Sequence, residues 1–176
     1  MSAQPGLVHD GMYKVVWVDA IADPSAPTIA ELTAGIDLEC QITPDGLARE
    51  ASDEPVDTSR LCSVFTTQQV GRTGYEVSLT LVRLDERETG VEDEALHTLV
   101  KGKRGFLVIR DNKAADVAWT AGSVGPPVVA ADEVEVFPVQ CGTRNKSTPA
   151  ANELMTFTLP LMVTADPTLD AVVAAA

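Results

Sequence analysis

Residues 91–110 read VEDEALHTLVKGKRGFLVIR, a helical signal that runs directly into a strand. Glu92, Asp93 and Glu94 crowd the first turn, where acids meet the positive end of the helix dipole, and Lys101 and Lys103 flank Gly102 after its end. Ala95, Leu96, Leu99 and Val100 recur at spacings of three and four, which gives one apolar face. A helix of roughly two to three turns is marginal alone, so it must lie against a sheet. Residues 106–109 supply the next strand. The segments on either side read as strands and loops, so this one helix is the brace around which a mainly β chain is organised.

Working outward, residues 12–20, MYKVVWVDA, form a β-branched and aromatic strand that DPSAP at 23–27 ends. Thr28, with Glu31 three positions on, has the pattern of a capping box for a brief helical turn. Residues 36–42 alternate, with Ile36, Leu38, Cys40 and Ile42 inward and Asp37, Glu39 and Gln41 outward. Residues 43–73 have no period. They open on the turn chemistry of Pro44-Asp45-Gly46 and hold at most a short strand at 63–67. A loop of this length is functional, ordered by a partner, or disordered. Residues 75–84 give the clearest strand, with Tyr75, Val77, Leu79 and Leu81 inward and Glu76, Ser78 and Thr80 outward.

Beyond the brace, Asp111-Asn112-Lys113 reads as a hairpin turn into a strand at 115–121, and Gly125-Pro126-Pro127 as a break. Residues 133–140, EVEVFPVQ, form a strand whose Pro138 marks an edge or a bulge, and 155–164, MTFTLPLMVT, form the last strand. The expected organisation is a polar lead at 1–11, a single domain at 12–165 and a small apolar tail at 166–176. For that tail, disorder and packing of AVVAAA on a neighbouring subunit both stay open. The fold class is mainly β: a β-sandwich or partly closed barrel with one flanking α-helix.

The composition narrows the function. A net charge of −13 opposes wrapping of nucleic acid, because that affinity comes from clustered Lys and Arg. Cys40, Cys62 and Cys141 lie far apart without a CxxC pair, which favours reduced cysteines over a disulfide framework or zinc site. The opening MSAQPGLVHDG has neither a basic start nor an apolar core region, so no secretory signal is expected, and synthesis and folding in the cytoplasm are. No run is long enough to span a membrane. His97 has no second ligand at metal spacing, and His9 lies in the polar lead. Asp111, Asn112 and Asp116 lack the glycine and terminal glutamate of a calcium loop, and Ser123 lacks a nucleophile elbow. Glu50, Asp53, Glu54 and Asp57 are paired acids in a chain with 26 of them, where solvated faces are the ordinary reading. Neither an enzyme nor a cofactor is expected.

The order of segments ECQITPDGLAREASDEPVDTSRLCS, then EALHTLVKGKRGFLVIRDN, then EVEVFPVQCGTRNKSTPAANELMTFTLPLMVT resembles the major tail protein, or tail tube protein, of long-tailed bacteriophages, especially those infecting actinobacteria. The resemblance covers residues 36–164 and brings no catalytic residues with it. It implies a virion subunit, six copies to a ring, with rings stacked into a tube through which the genome passes. Its partners would be copies of itself and other tail proteins, with DNA passing unbound and no membrane involved. On that reading Asp37, Glu39 and Glu76 are candidates to face the lumen. The segment carrying Pro44, Asp45, Gly46, Arg49, Glu50, Asp53, Glu54, Asp57 and Arg60 is the candidate contact between rings. Ala95, Leu96 and Leu99 are expected to pack the helix on the sheet. A tail terminator, a head-decoration module and a monomeric carbohydrate-binding sandwich stay as alternatives, the last with only 5% aromatic residues to build a platform.

Overall fold

The computed structural model describes residues 11–62, 64–122 and 129–175. His9, Ser123 and the break at Gly125-Pro126-Pro127 lie outside them. The elements in chain order are β1 (Lys14–Val18), α1 (Ile29–Thr33), β2 (Ile36–Asp37), β3 (Ile42–Asp57), β4 (Gln68–Val82), α2 (Glu94–Thr98), β5 (Arg104–Arg110), β6 (Glu133–Cys141), β7 (Asn145–Lys146), β8 (Thr156–Val163) and β9 (Thr168–Val172). All nine strands belong to one antiparallel sheet of order β2-β1-β5-β6-β8-β4-β3, with β7 added on β8 and β9 on β6. The mainly β fold class is as the sequence predicts.

Side-chain alternation explains how this sheet makes a core. Val15 and Trp17 of β1 join the same buried cluster as Val77, Leu79 and Leu81 of β4, although β5, β6 and β8 lie between them in the sheet. The sheet therefore curls over its own face without closing, and Ala95 and Leu99 from the α2 segment fill the interior. On the reverse face, Val16, Val18, Val108, Val134 and Val136 pack with Leu32 of α1, Ala171 of β9 and Val173. Residues 166–176, read as a loose tail, thus contain a strand paired to β6, with Ala171 and Val173 buried. Alternation was hard to see there because so few residues carry it.

Both helices have five residues: α1 is the brief turn expected after Thr28, whereas α2 is shorter than its periodicity suggests. Thr28 and Glu31 form the predicted capping box on α1. In α2, Ala95 and Leu99 are buried and Leu96 packs partly against the core, but Val100 is exposed past the helix end.

Three other expectations change. In the 36–42 segment pairing with β1 stops at Asp37 and pairing with β4 begins only at Ile42; between them the amides of Gln41 and Ile42 both donate to the Leu38 carbonyl (2.9 and 3.1 Å), so the chain turns and leaves Cys40 exposed. Residues 115–121 form no strand, because the Val117 and Ala118 carbonyls accept from the buried Arg110 instead. Pro138 lies in an interior strand rather than at an edge. It falls between the last β9 partner at Val136 and the first β8 partner at Val139, just past a register shift, so the missing N–H costs little there.

The largest change concerns residues 43–73, where the sequence predicts a loop. They make most of β3 and the start of β4, paired in register from Leu47↔Leu79 to Asp57↔Gln68, with a bulge between Asp53 and Pro55. Residues 58–67 connect them, and 64–67 are not a strand; Ser63 is outside the described residues.

Candidate assembly surfaces

The pairing of β8 with β4 ends at Glu76↔Met162. Beyond Tyr75 the β3–β4 hairpin continues as a two-stranded ribbon, exposed on both faces over 51–57 and 68–74. At about 3.3 Å per residue, seven such residues reach about 23 Å from the body. Thr73 Oγ1 donates to Asp53 Oδ1 (2.6 Å) across the ribbon, and the Thr58 amide donates to the Thr67 carbonyl (2.9 Å) at its tip. The Asp57 carboxyl is held below its ordinary value by the Ser59 hydroxyl and amide. The tip is apolar and bare: Leu61 is 109%, Val64 98% and Phe65 75% exposed. Isolated two-stranded ribbons are marginal in water, and clustered exposed apolar residues mark contact sites.

The predicted loop residues divide between base and ribbon. Asp53, Glu54 and Asp57 lie on the ribbon, and Arg60 lies in the connection. Pro44, Asp45 and Gly46 stay at its base, where a β-carbon on Gly46 would meet the Thr80 carbonyl at 2.5 Å. Arg49 turns back into the body, bonding Glu135 and Asp111 and stacking over the Tyr13 ring at 5.6 Å. Burial raises the Glu135 pKa, and the Arg49 charge opposes that shift.

A second surface is the outer face of β3, β4 and β8, which carries Glu50, Glu76, Ser78, Thr80, Thr158 and Met162. Thr80 and Thr158 share a 3.1 Å hydroxyl hydrogen bond across it. Glu50 and Glu76 are direct cross-strand partners, a like-charge arrangement that weakens an ordinary sheet. The other two acidic candidates are elsewhere: Asp37 and Glu39 lie 3.9 and 3.7 Å from Lys14 Nζ, near the β2 edge of the sheet.

A third surface is a groove of about 670 Å³ where β1 and the turn after β2 face the start of β3. Tyr13, Val15, Ile42 and Leu47 give it an apolar lining, and Glu39, Cys40 and Asp45 also line it. Sequence reasoning missed both this groove and the tip. The run Leu61-Cys62-Ser63-Val64-Phe65, apolar within a polar segment, was the available signal for the tip.

Among the described residues no cluster of three or more His, Cys, Asp or Glu has metal-binding geometry, and no helix is long and apolar enough to cross a membrane. His97 bonds Glu86 on the surface.

A curled β body with a projecting ribbon, an exposed polar sheet face and an apolar groove defines a subunit built for contact with other chains. The chain belongs to the phage tail tube protein family: the family model, described as phage tail tube protein, matches residues 1–176. A chain in the six-fold symmetrised cryo-EM structure of the anti-feeding prophage baseplate has a similar fold, with a TM-score of 0.56 at 10% identity, covering 95% of this chain and 96% of that one. Among curated proteins nothing matches. The protein is a structural component of a phage tail.

Proposed function

We propose that this chain forms six-membered rings that stack into the tail tube, the conduit through which phage DNA leaves the virion. The observation that carries this reading is the ribbon, an element whose apolar tip has no partner within the subunit among the described residues. As the contact between rings, it would bury Leu61, Val64 and Phe65 on assembly. Six-fold symmetry in the structurally similar baseplate supports the ring number. The subunit folds in the host cytoplasm before joining the tail, and its role is assembly rather than catalysis.

Of the acidic candidates, Glu76 together with Glu50 is assigned to the lumen. They stand on an uncovered sheet face, where carboxylates would repel passing phosphates. Asp37 and Glu39 are instead engaged by Lys14.

Electron microscopy of the concentrated protein tests the reading, with stacked-ring tubes expected. The variant Leu61→Ser/Val64→Ser/Phe65→Ser should stay folded by circular dichroism and form no tubes. Tubes of normal length from it would overturn the role of the ribbon.

A further inference from the structure

Resting on that assembly reading, we infer that the ribbon tip of one subunit seats in the groove beside Cys40 of a second copy of this chain, with Arg60 facing Asp45. The two surfaces match in polarity: Leu61, Val64 and Phe65 are exposed at the tip, and Tyr13, Val15, Ile42 and Leu47 line the groove. They also match in charge. Residues 58–67 contain Arg60 and no acid, whereas Glu39 and Asp45 line the groove. The groove's own cation, Arg49, is already neutralised by Glu135 and Asp111. Asp45 is the exposed acid of the groove, whereas Glu39 is half-buried and already approached by Lys14 at 3.7 Å, so Asp45 is the carboxylate a guanidinium would meet.

The tip cannot fill its own groove. The groove is built on the first part of β3, and the tip follows the far end of the same strand. The paired strand between Leu47 and Asp57 holds them about 33 Å apart. The occupant is therefore another copy, in a contact between two different surfaces that repeats from subunit to subunit without closing on itself.

Two native thiols report the seat. Cys62 is exposed beside Leu61 at the tip, and Cys40 is exposed in the groove. Cys141 is buried, and burial pushes its thiol up to about 11, so it should stay silent. Assembled tubes of the full chain are treated with a short bis-maleimide and resolved on a denaturing gel. The expected result is a ladder of linked subunits that either Cys40→Ser or Cys62→Ser abolishes. Arg60→Glu should lower tube yield by about tenfold, and adding Asp45→Lys should restore it. Tubes that give no ladder, or a ladder that survives Cys40→Ser, overturn the seat and leave the tube reading standing. If the unmodified chain forms no tubes at all, both readings fall.

Discussion

Arg110 and Asp132 are both fully buried, and their 2.8 Å ion pair organises the loop after β5. Arg110 also donates to the carbonyls of Ala114 and Val117 (2.9 and 2.8 Å) and lies 4.9 Å from the centre of the Trp119 ring. The Thr120 amide and Lys113 complete the shell of Asp132. Arg110→Ala breaks a fully buried ion pair and leaves Asp132 only Lys113 and the Thr120 amide, and the expected loss is about 3 kcal/mol in denaturant unfolding. Burial acts to raise the Asp132 pKa, but the hydrogen bonds from Lys113, Thr120 and Arg110 outweigh it and hold the group below its ordinary value. The unfolded chain therefore takes up that proton first. Stability from Asp132 is present above about pH 4 and is lost as the pH falls through the folded value. Acid titration should show this slope in the native chain and a weaker one in Asp132→Asn. None of this was legible in the sequence, where 115–121 alternates like a strand. Alternation records which residues are apolar, and here a buried guanidinium draws the carbonyls inward.

At the scale of elements, legibility followed burial. β4 was read correctly over Tyr75, Val77, Leu79 and Leu81 because one face of that part is covered. The distal parts of β3 and β4 are just as extended, yet the sequence predicts loop there because both faces meet water and no apolar period is imposed. The α2 brace was legible in place but not in length. Asp93 caps it, accepting from the amides of Leu96 (3.1 Å) and Leu84 (3.2 Å), and Arg144 donates to the Leu96 carbonyl. Leu99 packs in the interior beneath it. Leu99→Asp places an unpaired carboxylate there and should cost at least about 3 kcal/mol, read as a lowered thermal midpoint. The tip variants, which touch no core residue, should leave that midpoint unchanged. This separates failure to fold from failure to assemble.

For the whole molecule, the fold class and the family resemblance were both readable from the order of segments, and residues 1–176 match the tail tube family. The assembly surfaces were not readable, because a groove and an exposed sheet face exist only after distant segments meet. Arg49 shows this: placed by sequence in the contact between rings, it ties β3 to Glu135 and Asp111 inside one subunit. Charge at this scale gives a further prediction. Glu50→Lys/Glu76→Lys replaces exposed acids on an open face, so the subunit should fold and polymerise. The resulting tubes should then retain DNA in a gel-shift assay at low salt, where native tubes do not.

The ribbon also sets how the protein must be stored before use. Past Tyr75 it carries unpaired strand edges beside an apolar tip, a combination that invites strand-to-strand aggregation in a crowded pool of free subunits. Its edges are blunted by Pro55, by the carboxylates of Asp53, Glu54 and Asp57, and by the bulge between Asp53 and Pro55. Neutralising the three carboxylates should therefore shorten the shelf life of the monomer before it alters the tube.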